Sequence, residues 1–205
     1  MSLGRTFALA LSSAVLLGAG AASAQMPAPK VATSPAAAPA GDYALDPRHA
    51  SAIVKLAHFG LSHYSMRFNT IAGNYSYDPK KPTASVVTVS IDPNSIDTND
   101  TAFNKEIADK FLETGKFPTL TFTSTKIEEG KGDHGKVEGV LDFHGVKKPV
   151  TLDVTYRGSV SAMGKDRMGF SGSTSFKRSD FGAGAYVPIV GDEVTVLIEV
   201  EFVRK

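Results

Sequence analysis

Residues 143–154 read FHGVKKPVTLDV, and how this stretch is read decides the fold. A histidine, two lysines and an aspartate within a dozen residues could be a fragment of an active site. They could equally be two strands and the turn between them, with the charges facing water. Downstream, Val150, Leu152, Val154 and Tyr156 fall on one side and Thr151, Asp153 and Thr155 on the other. Upstream, Val137, Gly139, Leu141 and Phe143 share a side in the same way. A two-residue period is that of a β-strand with one face buried. The segment between, His144 to Pro149, carries the glycine and proline that punctuate hairpins. The stretch is therefore predicted to be a hairpin, with His144, Lys147 and Lys148 as turn residues without a catalytic role.

The same period recurs on both sides of this hairpin. Ala52, Val54, Leu56 and His58 align, as do Ile71, Gly73, Tyr75 and Tyr77, then Val87, Val89 and Ile91, then Leu120 and Phe122. Towards the C-terminus, Met168, Phe170, Thr174 and Phe176 align, followed by Val194, Val196, Ile198, Val200 and Phe202. One segment breaks the rhythm: Phe103, Ile107 and Phe111 stand four apart between an Asp/Asn-rich start and Gly115, which predicts a helix over about Thr101–Thr114. Eight mostly antiparallel strands make the chain all-β, as a closed barrel or a sandwich. An eight-stranded barrel has room for packed side chains or one small ligand. Gly73, Gly139 and Gly172 on the inward faces would leave space there.

The N-terminus reads as a leader. One positive charge at Arg5, a short apolar run and Ala22-Ser23-Ala24 predict a signal peptide over 1–24, cleaved between Ala24 and Gln25, and an exported, periplasmic protein. Residues 25–41, rich in Pro and Ala, are expected to be a disordered linker, leaving 42–205 as one domain. The whole chain has 22 basic and 21 acidic residues, and Arg5 is the only charge in the leader, so the mature chain balances to zero. Nothing in that balance steers the protein to nucleic acid. There is no cysteine, which excludes disulfide, thiolate-metal and thiol-nucleophile chemistry.

Candidate chemistry is sparse. His49, His58 and His63 match no metal-ligand spacing, and no metal site is expected. Asp97, Asn99 and Asp100 lack the central glycine and closing glutamate of a calcium loop and read as a helix cap. No G-x-S-x-G elbow or phosphate loop is present, so no catalytic residue is assigned. Arg178 and Asp180 are expected two apart on a strand, as an ion pair or with Arg178 facing a ligand's polar head.

Several blocks occur in order: DPRHASAIVKLAHFGLSHYSMRF, IAGNYSYDP, FPTLTFTSTKI, VEGVLDFHGVKKPVTLDV and FKRSDFG. The chain thereby resembles the YceI-like family over the whole of 42–205. Ala50, Val54 and Met66 depart from residues usual in that family, all near the first strands. The resemblance implies a lipocalin-like antiparallel barrel, a long-chain isoprenoid or isoprenoid quinone in an apolar tunnel, no other cofactor, and no membrane segment after processing. A homodimer is left open. On that reading the wall comprises Val54, Leu56, Phe68, Ile71, Tyr75, Val89, Phe122, Leu141, Phe143, Leu152, Phe170, Phe176, Val196 and Ile198, with His58 and Arg178 toward the head group. Two alternatives stand beside the carrier. One is an enzyme or redox partner acting on the bound lipid or quinone; the other is a filled barrel acting through its surface.

Overall fold

The computed structural model describes residues 28–205, and the expected signal peptide lies outside the described residues. Ten strands form in chain order: β1 (Gly41–His58), β2 (Ser62–Phe68), β3 (Ile71–Tyr77), β4 (Val86–Ile91), β5 (Ile96–Asp97), β6 (Leu120–Glu129), β7 (His134–Phe143), β8 (Val146–Ala162), β9 (Lys165–Lys177) and β10 (Val190–Arg204). They run β10-β9-β8-β7-β6-β4-β3-β1-β2-β5, and β10 also pairs with β1, so eight of them close into an antiparallel barrel. Closure leaves only stretches of edge unpaired, such as residues 146–152 of β8 on the side of β9. Those eight are the strands the alternation predicted.

The wall departs from a regular barrel at β1. Gly41–Ala44 pair with β3, whereas Ala52–His58 pair with β2. Between them the β1–β10 register shifts from Leu45 to Ala50, so that Asp46-Pro47-Arg48-His49 bulges outward. Asp46 accepts from Arg167 Nη1 at 2.8 Å and from the backbone N–H of Arg48 at 3.0 Å, which pins the bulge to β9. The guanidinium, as the largest cause, holds the Asp46 carboxyl well below the usual carboxylate range.

Helix α1 (Thr101–Glu106) opens under Asp100, whose carboxylate accepts from the N–H groups of Ala102 and Phe103 at 2.9 and 3.1 Å, as the capping reading expects. The segment then widens into a π-turn, Ile107–Phe111, short of the predicted end at Thr114. Leu112 N–H donates to Ile107 O at 2.9 Å, five residues back. Phe103 meets Tyr64 of β2 edge-on at 5.7 Å, and Phe111 lies 5.5 Å from Tyr186 in the loop before β10. The helical segment thus lies between β2 and that loop.

Several expectations are corrected. The connection in the opening stretch is two residues, not six. His144 and Gly145 have φ of 53° and 76°, the positive values of a two-residue type I′ hairpin, and β8 already begins at Val146. Pro149 sits inside β8 opposite Val140, in the part that β9 does not pair, since the β8–β9 ladder starts at Asp153. The His144 side chain does not face water either. It is 9% exposed, 4.3 Å from the Phe117 ring, with Nε2 3.0 Å from a Glu113 carboxylate oxygen.

Residues 31–40 are not a solvated tether. Ala32 bridges Ser159, Pro35–Ala37 make a 3-10 turn, and Ala38 is 2% exposed. Gly73 and Gly139 do not leave empty space: a Cβ on Gly73 would stand 2.7 Å from Thr88 O, and one on Gly139 2.4 Å from the Phe122 ring.

Candidate functional site

The inward faces of the barrel enclose a cavity of about 1020 Å³. That is at the upper end of small-molecule pockets. Its wall follows from the two-residue period, because each strand turns every second side chain inward. Val54, Leu56 and His58 line it from β1, Phe68 from β2, Ile71 and Tyr75 from β3, and Val89 from β4. Phe122 comes from β6, Leu141 and Phe143 from β7, Leu152 from β8, Phe170 and Phe176 from β9, and Val196 and Ile198 from β10. Arg178 borders the same space from the turn after β9. All sixteen residues singled out in the sequence therefore meet around one cavity.

They do not all sit there in the same way. Phe143 and Phe176 also pack against Phe181, with ring centroids 5.6 and 5.2 Å from it, in a second small core beneath the loop before β10. His58 is at the rim, exposed, with its ring 4.5 Å from that of Phe59. Arg178 is 7% exposed and lies in a 3-10 turn, Arg178–Phe181, not on a strand. Its guanidinium donates to the carbonyls of Ala183, Val190, Ala185 and Gly191 at 2.5, 2.8, 2.8 and 2.9 Å. Burial lowers its pKa. Asp180 turns outward to Lys148 at 3.8 Å, so the expected Arg178–Asp180 pair does not form. The arginine binds the 183–191 loop into shape.

Some wall residues were not singled out as site residues. Phe103, Ile107 and Phe111 line the cavity from the helical segment, and Tyr64 and Met66 line it from β2. The Tyr64-Met66-Phe68 alternation was readable, but the strand is only seven residues long and follows a tight turn. Tyr186 and Ile189, both at least half exposed, and Phe59, 61% exposed, border one mouth.

The opposite end is built from tyrosines. Tyr75 stacks on Tyr77 at 5.7 Å and meets Phe170 edge-on at 5.5 Å. Tyr43 donates to Pro39 O at 2.6 Å and Tyr77 to Pro35 O at 2.7 Å. The Tyr156 hydroxyl is buried without a hydrogen-bond partner. Burial raises the pKa of Tyr43, Tyr75, Tyr77 and Tyr156, so all four stay neutral at ordinary pH. Ser34, Pro35 and Ala36 stand across this end.

The wall offers shape and hydrocarbon contact. An ordered interior water needs two to four polar partners, and most of this surface has none to give. A flexible hydrocarbon chain fits it better. Asp46, His49 and Glu201 come together on the outside of the barrel, but Arg167 occupies both carboxylates, at 2.8 and 3.4 Å. Among the described residues no helix is long and apolar enough to cross a membrane.

A family model for the YceI-like domain matches residues 43–202. A UPF0312 protein of Vibrio vulnificus is 40% identical over 179 residues, covering 83% of this chain and 92% of its own. The YCEI protein of Campylobacter jejuni superposes with a TM-score of 0.65 at 30% identity, over 73% of this chain and 90% of its own. A polyisoprenoid binding domain from Saccharophagus degradans, implicated in plant cell wall breakdown, has a TM-score of 0.63. At 20% identity, over 80% of this chain and 98% of its own, that likeness speaks for the fold alone.

Proposed function

The chain belongs to the YceI-like family, and from that premise we propose that it is a periplasmic carrier or reservoir for a long apolar lipid of the isoprenoid or isoprenoid-quinone type. One observation carries the reading: a cavity of about 1020 Å³ whose wall is hydrocarbon on nearly every strand. Each methylene moved from water onto such a wall contributes about 0.8 kcal/mol, so a long chain binds tightly with few polar contacts. Naming a structural neighbour for polyisoprenoid binding agrees with this chemistry. The role proposed is binding: Tyr75 is held neutral by burial and Arg178 is committed to backbone carbonyls, so both serve the shape of the cavity.

The test is to express the chain with its leader, purify it from the periplasm without detergent and record native mass spectra with lipid extraction. A stoichiometric apolar adduct is expected, and its mass names the chain length and head group. Protein that emerges empty and fails to take up added isoprenoid quinone would overturn the carrier reading in favour of a barrel acting through its surface.

A further inference from the structure

Building on the lipid-binding reading, we propose that residues 31–39, just before the first barrel strand, form a stopper that sets how long a chain the cavity accepts. Composition alone assigns a Pro- and Ala-rich stretch to solvent. Here it is fastened at several independent points. Ala32 and Ser159 exchange both backbone hydrogen bonds at 2.9 Å. Tyr77 and Tyr43, buried in the barrel end, donate to the carbonyls of Pro35 and Pro39 at 2.7 and 2.6 Å. Ala38 is buried between these anchors.

The barrel wall is shaped to receive the segment. The β8–β9 register slips between Tyr156 and Gly158, and Gly158 adopts φ +132°, a conformation L side chains rarely take. A Cβ at Gly158 would also lie 2.4 Å from Val31 Cγ1 and 3.1 Å from Ala32 O. Glycine at this bulge is what lets the segment approach.

Ser34, Pro35 and Ala36 then meet the cavity directly, at the end opposite the mouth bordered by Phe59, Tyr186 and Ile189. The β6–β7 turn, through Gly130, Asp133 and His134, borders the cavity as well, and the segment laid across the tyrosine end limits the cavity's length there. A bound chain that enters by the mouth stops against Pro35. Displacing the segment lengthens the space available.

The experiment compares the parent chain with one in which residues 31–39 are replaced by alternating glycine and serine, the length being kept. Both are loaded with a series of polyprenols from farnesol upward in single isoprene steps and read by native mass spectrometry. Amide exchange at Ser159 reports whether the segment has left. The expected result is a sharp upper length in the parent, a limit longer by one isoprene unit or more in the replaced chain, and a Ser159 amide that exchanges faster. The Tyr43→Phe/Tyr77→Phe double variant, which keeps both rings, should move the limit in the same direction. An unchanged limit in the replaced chain overturns the stopper while the lipid reading stands, as does a Ser159 amide still protected as in the parent. If neither chain retains any polyprenol, the lipid reading itself falls and the stopper with it.

Discussion

Phe122 and Gly139 share one space. The edge of the Phe122 ring stands where a side chain on Gly139 would be, its Cζ 2.4 Å from the Cβ position. Across the β6–β7 ladder Phe122 faces Leu141 and Gly139 faces Ser124, so the ring lies diagonally over the glycine. Gly139→Ala must therefore push the ring away, and Thr123 O, 2.6 Å from the same position, blocks one direction. Overpacking of this kind costs about 1–3 kcal/mol. Thermal unfolding should show a midpoint lower by several degrees, and the ring moved inward should shorten the longest lipid retained. A midpoint equal to the parent's would show that the ring is not held there.

Arg178 makes four hydrogen bonds to the carbonyls of Ala183, Ala185, Val190 and Gly191. Hydrogen bonds from a charged donor are worth about 1.5–3 kcal/mol each and do not add in full. Lysine cannot reproduce the planar fork. Arg178→Lys is expected to cost about 3 kcal/mol in denaturant unfolding and to open the 183–191 loop to protease. Lipid selectivity changed without loss of stability would instead place Arg178 at the ligand.

Ile198 lies on the inner face of β10 opposite Gly172 of β9, and both line the cavity. A guanidinium there is desolvated without a partner in an apolar space. Ile198→Arg, and Leu141→Arg across the barrel, should abolish retention of lipid while circular dichroism still reports a folded sheet. Solvent extraction of the purified variants is the check. A folded variant carrying the parent's lipid would remove that position from the ligand wall.

Asp46 makes the stability depend on pH in acid. Its folded pKa is depressed, first by the hydrogen bond from Arg167 and next by that from His49. A depressed carboxyl contributes stability above its unfolded pKa of about 3.9 and loses it as pH falls toward the folded value. Asp46→Asn should therefore flatten the fall in stability below about pH 4, and the two proteins should converge in strong acid. Parallel curves from neutral pH downward would show that the Asp46–Arg167 contact does not persist in solution.

The eight barrel strands were legible because each alternates, and the buried face of each could be named residue by residue. That is why Val54, Leu141, Phe170 and Val196, scattered over more than a hundred residues, converge on one cavity. β2 was passed over although Tyr64, Met66 and Phe68 alternate, because the strand lies between a tight turn and a second strand with its own pattern. Arg178 could not be placed from sequence. Its partners are backbone carbonyls five to thirteen residues ahead, and carbonyls carry no residue-specific signal.

What the amino-acid order by itself determined is which side chains point inward, since a two-residue period needs no knowledge of neighbouring strands. It also determined where the helix begins, through a cap that bonds to its own backbone two and three residues on. Tertiary structure alone decided what that inward face encloses. Whether Gly139 leaves a void or is covered by Phe122 depends on a diagonal neighbour in another strand. Whether residues 31–39 float or pack depends on two tyrosine hydroxyls and a bulge far along the chain. A Pro- and Ala-rich segment has no apolar periodicity of its own to announce a docking site. The acceptors it offers are its carbonyls, and only the folded barrel brings the donors to them.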